Sequence, residues 1–166
     1  RLADINGAEL PPELLPSTSN ATRYGDRLAW LSPDDPNTVY FDRPGVFPTG
    51  TSSSSGLTVS VSSEGGKLTA LHQMDSALYL FKRNSVYVTY GDPAGATGEN
   101  GTLTVPRLVF NGVGCVDPKS LILTPRGLVF KSGKGFYMIA RNQQVDFIGE
   151  GPYNDKAITV TGSAIA

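Results

Sequence analysis

One histidine, one cysteine and one adjacent pair of carboxylates are the conventional reactive groups of this 166-residue chain. His72 lies in an alternating stretch, two places from Ala70 and two from Met74. A metal site would need further nitrogen or sulfur ligands, and a nucleophilic triad would need a base held by an acid. Neither accompanies His72, so a packing or surface role is expected. Cys115 stands in Gly112-Val-Gly-Cys-Val-Asp-Pro118. A reactive thiolate needs a cation or a helix N-terminus beside it. None is legible there, and the residue reads as a small buried apolar group. A lone cysteine also excludes an intrachain disulfide framework and a multi-cysteine zinc site. Asp34-Asp35 has the pairing that acid–base work requires, but Pro33 and Pro36 enclose it. Both acids are expected to bond local amides in a turn.

The weaker motifs lead the same way. Ser32-Pro-Asp-Asp-Pro-Asn-Thr38 resembles the Asp-box turn of sialidase propellers, with Pro36 in place of its glycine and Val39 in place of its aromatic. Such a turn closes a hairpin and is not catalytic. Asp92 to Asn100 offers carboxylates and carbonyls, but not the every-other-residue spacing of a calcium loop. Asn20-Ala-Thr22 and Asn100-Gly-Thr102 are formal glycosylation acceptors, relevant only in a eukaryotic secreted protein. No Gly-rich stretch follows a strand and opens a helix, so no phosphate cradle is expected. Trp30, Tyr79, Tyr87, Tyr90, Phe130, Phe136 and Tyr137 fall at strand positions, where aromatics pack between sheets rather than form a sugar platform. No catalytic, cofactor-binding or metal-ligating residue is assigned, no cofactor is expected, and the reading is not an enzyme.

The elements that would carry these residues are short strands. The chain is 39% hydrophobic and only 17% charged, with 19 Gly and 12 Pro. Frequent turns between short strands produce that profile; long amphipathic helices do not. Net charge is −1, from 14 basic and 15 acidic side chains, and no basic patch invites electrostatic capture of nucleic acid. No apolar run approaches the roughly 18 residues of a spanning helix.

Asp26–Leu31 and Thr38–Phe41 flank a Pro/Asp loop as a hairpin, and Leu57–Val61 alternates as a strand. Strands are further expected near 68–72, 77–82, 86–90, 103–110, 121–124, 127–131, 136–141 and 145–148. Pro106 places its strand at an edge or bulge. Breakers and a serine run, Ser52 to Ser55, make 43–56 a surface loop with a mobile serine stretch, and the Gly-rich loop at 92–101 carries too few apolar groups to pack.

Two stretches echo each other: Leu78-Tyr-Leu-Phe-Lys-Arg-Asn-Ser-Val-Tyr-Val88 and Leu128-Val-Phe-Lys-Ser-Gly-Lys-Gly-Phe-Tyr-Met138. Each reads as a strand, a polar turn holding a lysine, and a strand with tyrosine at the matching place. A period of roughly 40–50 residues suits four-stranded propeller blades. The fold class expected is all-β: a partial β-propeller of antiparallel blades with an extended Pro-rich N-terminal arm. Residues 1–23 would be the arm, 24–116 the first blades, 117–150 a complete blade, and 151–166 a connector with the start of the next. A start at Arg1, without Met or a signal pattern, reads as mid-protein.

Several segments together resemble the tail or nozzle β-propeller proteins of tailed bacteriophages, similar in role to podovirus tail tubular and DNA-stabilisation proteins. They are Tyr24–Ser32 with Val39-Tyr-Phe41, Lys67–Leu71 leading into Leu78–Lys82, and Ser85–Val88. The most distinctive are Gly114-Cys115 with Thr124-Pro-Arg-Gly-Leu-Val-Phe-Lys-Ser132, continuing through Lys134-Gly-Phe-Tyr-Met138 to Phe147-Ile-Gly149. The resemblance implies a structural virion protein located in the phage tail. Its expected partners are other tail and connector proteins and further copies in a ring, with non-specific passage of DNA. The alternatives are a glycan hydrolase or a carbohydrate-binding propeller.

Overall fold

The computed structural model describes residues 18, 20–41, 57–93 and 101–149. Twelve strands occur among them, in three four-stranded antiparallel sheets whose strands follow chain order. Sheet 1 is β1 (Asn20–Tyr24), β2 (Arg27–Leu31), β3 (Thr38–Phe41) and β4 (Thr58–Ser60). Sheet 2 is β5 (Leu68–Met74), β6 (Ala77–Lys82), β7 (Ser85–Tyr90) and β8 (Arg107–Asn111). Sheet 3 is β9 (Ile122–Thr124), β10 (Gly127–Ser132), β11 (Gly135–Ala140) and β12 (Val145–Gly149). Apart from one 3-10 turn at Pro118–Ser120, capped by the Asp117 carboxylate, no helix occurs among the described residues.

The expected strands are present, with adjusted ends. β1 begins at Asn20, inside the stretch read as an arm, because its pairing with β2 satisfies backbone groups an extended arm would leave to water. β8 starts only after Pro106, which has no N–H to give a ladder. Gly114-Cys115 is not in a strand; it belongs to the segment joining sheets 2 and 3. The remainder of the arm, most of both long loops and residues 150–166 lie outside the described residues.

Period-two alternation gives every strand two faces, and the three sheets stack face to face. One core lies between sheets 1 and 2: Ala29, Leu31, Val39 and Phe41 meet Leu68, Leu71, Leu78 and Leu80. A second lies between sheets 2 and 3: Ala70, Met74, Tyr79, Phe81, Val86 and Val88 meet Leu128, Phe130 and Ile139. Phe81 and Phe130 cross at 5.1 Å with a 57° tilt, an edge-on packing that suits the ring quadrupoles. Sheet 2 is covered on both sides, so all six residues of β6 are buried. Each large side chain so covered contributes about 1.5–3 kcal/mol.

The echo extends to all three sheets once the strands are in place. The first hairpin of each sheet turns at residues 25–26, 75–76 and 125–126, an interval of 50 residues each time. Leu28, Leu78 and Leu128 are then equivalent, as are Trp30, Leu80 and Phe130. Leu78 faces sheet 1 and Leu128 faces sheet 2, while Ala29 faces sheet 2 and Tyr79 faces sheet 3. The stacking is therefore front to back, the same face of each sheet always covering the opposite face of the next.

Candidate functional site

Antiparallel meanders send alternate connections to opposite ends of a sheet. One end carries the turns at 25–26, 75–76, 125–126 and 141–144. It is also where the two long connections depart, after Phe41 and after Tyr90. The opposite end carries the turns at 32–37, 83–84 and 133–134 and the segments that pass from sheet to sheet.

The first end holds an open groove of about 510 Å³, lined by Tyr24, Asp26, Gln73, Ser76, Asp92 and their neighbours. Tyr24 anchors its floor. Its hydroxyl is 3.0 Å from the Ser76 carbonyl and 2.7 Å from the Gly91 carbonyl, joining sheet 1 to two turns of sheet 2. Burial and then the nearby Asp92 carboxylate raise its pKa. Gly91 has φ +105°, and a Cβ there would stand 2.2 Å from the Thr102 carbonyl, so the chain turns at a place open only to glycine. Beside the groove, Arg141 of sheet 3 pairs with Asp75 of sheet 2, and Gln143 binds Tyr90 and accepts from Arg107. Burial, and then Tyr90 and Asp75, push Tyr79 beneath them up to about 12. The rim is thus a set of cross-sheet ties around an open groove.

The opposite end carries an enclosed polar cluster, and sequence reasoning missed it. Lys82 ends β6, as the strand expected near 77–82 implies, but its side chain, read as part of a polar turn, is fully buried. Its ammonium lies 3.0 Å from Asn37 Oδ1 and 2.5, 3.0 and 2.5 Å from the carbonyls of Ser62, Glu64 and Gly66. The Tyr87 ring lies 5.9 Å away. Burial lowers its pKa. The residues that form the cage come from sheet 1 and from the linker between sheets, so the lysine stitches that linker down. Its chemistry is that of a structural cation.

The residues singled out by type are held in similar structural roles. His72 Nδ1 is 2.7 Å from the Gln73 carbonyl. Among the described residues, no group of three or more His, Cys, Asp or Glu could hold a metal ion. Cys115 is fully buried, donates to the Asp117 carbonyl at 3.1 Å, and is pushed up to about 11, chiefly by burial. Its own carbonyl accepts from Thr69 Oγ1 at 2.7 Å, and Val116 N–H donates to the Lys131 carbonyl, so the segment ties sheet 2 to sheet 3. The Asp35 carboxylate accepts from the Tyr40 hydroxyl at 3.0 Å rather than from a local amide, and in the same turn the Asp34 backbone N–H donates to Ser32 Oγ. Asn20 Oδ1 accepts from Leu71 N–H at 2.8 Å, which commits that amide to the junction of β1 with β5. The Asp92–Asn100 loop and Asn100 lie largely outside the described residues.

Of the aromatic set, Tyr79 and Phe130 are buried between sheets 2 and 3, with Tyr90 and Tyr137 packed against them. Tyr87 packs into the other core. Trp30 instead stacks on Tyr40 at 4.8 Å, on the face of sheet 1 away from sheet 2. No helix among the described residues is long and apolar enough to cross a membrane. No family model matches the chain, and no curated protein matches it either.

Proposed function

We propose that this chain is a non-enzymatic scaffold, an arc of a β-propeller that serves a bacteriophage tail tube, nozzle or hub. The observation that carries the scaffold reading is the front-to-back stacking at an interval of 50 residues. A propeller repeats one four-stranded meander around an axis, with the first strands of successive blades innermost. β1 and β5, the first strands of sheets 1 and 2, meet through the Asn20–Leu71 bond, as blades around an axis require. The three sheets correspond to blades, and the sheet-joining segments at 61–67 and 112–121 to blade connectors.

The polar groups support a mechanical role. Lys82, Tyr24 and Thr69 all bond backbone carbonyls of a neighbouring segment, and these ties hold sheets in register. The tail assignment draws on the sequence resemblance through Gly114-Cys115 and Thr124–Ser132. Under it, the ring axis is a passage for DNA, near-neutral charge avoids gripping phosphates, and the end bearing both long connections docks other tail parts. Phage particles assembled without this protein should leak packaged DNA or lack tail components. Genome-filled, infectious particles without it would sink the proposal.

A further inference from the structure

Asparagine is a thermolabile side chain, and a following glycine exposes it to attack by its own backbone. With no Cβ in the way, the glycine nitrogen can reach the asparagine side-chain carbon. The N–Cγ bond forms as that nitrogen gives its proton to water or hydroxide, the bond from Cγ to the side-chain nitrogen breaks, and ammonia leaves. Water then opens the resulting cyclic imide at either carbonyl, giving aspartate or a β-linked isoaspartate. The sequence holds Asn6-Gly7, Asn100-Gly101 and Asn111-Gly112. Only the last of them lies wholly among the described residues. Asn111 ends β8 and is exposed to the water this chemistry consumes.

The nitrogen that would attack is committed elsewhere. Gly112 N–H donates to the Asn84 carbonyl at 2.7 Å, in the turn between β6 and β7. Its own carbonyl accepts from Lys134 Nζ at 3.1 Å, in the turn between β10 and β11. One glycine is thus tied to sheet 2 through its nitrogen and to sheet 3 through its oxygen. The chain beyond it has no slack, since Val113, Gly114 and Cys115 are buried and Gly114 lies hard against the Lys82 carbonyl. Turning the Gly112 nitrogen onto Asn111 therefore means breaking the Asn84 bond and lifting the connector at 112–121. We propose that Asn111 is a self-modification site gated by this connector, spared while the joint between sheets 2 and 3 is closed and converted when it opens. Such an opening can be local and leave the rest of the fold intact. Either product adds a negative charge, and isoaspartate also adds a methylene to the main chain beside Gly112. A converted connector no longer matches its seat, so conversion records an opening irreversibly. The gate is a property of the joint, whatever assembly the stack serves.

Peptide mass mapping of the 166-residue chain reads conversion at Asn111 after incubation in mildly alkaline buffer, with and without denaturing guanidinium chloride. Conversion in buffer alone should be slower by about tenfold or more, because the joint is open only a small part of the time. Gly114→Ala crowds the connector against the β6–β7 turn and should raise the rate in the folded chain. If that variant does not fold by circular dichroism, Lys134→Met takes its place, since Lys134 is exposed and its loss frees the Gly112 carbonyl. Equal rates with and without denaturant overturn the gate, and so does a folded variant that converts no faster than wild type. Absence of conversion in the denatured chain overturns the site itself.

Discussion

At the scale of the residue, the polar groups that matter are those that satisfy backbone. Lys82 directs a buried ammonium at four oxygens drawn from two other segments. Lys82→Met keeps the aliphatic stem and removes the donors, and urea unfolding should show a loss on the order of 3 kcal/mol. Cys115 makes a prediction with a definite sign. Its folded pKa, about 11, lies above the ordinary thiol value of 9.0. A neutral thiol therefore contributes stability at pH values below 9 that is lost as pH rises toward 11, up to about 3 kcal/mol. The stability difference between wild type and Cys115→Ala should shrink over that window, and the native thiol should resist alkylation at pH 8. Rapid alkylation there would contradict its burial. None of the lysine cage is legible in sequence, because its acceptors are carbonyls, which every residue carries, assembled by folding.

Elements were legible where a local pattern decided them. β2, the Pro/Asp turn and β3 follow from alternation and from proline, and β10 and β11 from the tight turn between them. β1 was hidden, since Asn20-Ala-Thr-Arg-Tyr24 has little apolar alternation and is fixed by its partners. The first repeat was hidden for the same reason. Its turn is Gly25-Asp26, against Asp75-Ser76 and Pro125-Arg126, so equivalent turns share no residue. At the joints, Gly114 runs against the β6–β7 turn, and a Cβ there would sit 2.0 Å from the Lys82 carbonyl. Gly114→Ala should cost about 1–3 kcal/mol by overpacking, read by thermal or chemical denaturation. Tyr24→Phe removes the hydroxyl that spans two carbonyls and should cost about 1–2 kcal/mol.

At the scale of the molecule, sheet 2 is the shared partner of the other two, and each interface is a separate core. Repeat stacks distribute stability over nearest neighbours. Phe130→Ala should therefore cost about 3–5 kcal/mol and remove hydrogen-exchange protection first from sheet 3. Amides of β2 and β3 should keep most of theirs; equal loss in all three sheets would show that the stack melts as one unit. Turns, alternation and composition were enough to specify an all-β chain of short strands, because each depends on residues close in sequence. Which face each sheet turns to its neighbour, and what a buried lysine touches, was decided only by the tertiary structure. Those contacts join residues dozens of places apart, and stacking, not local preference, selects them.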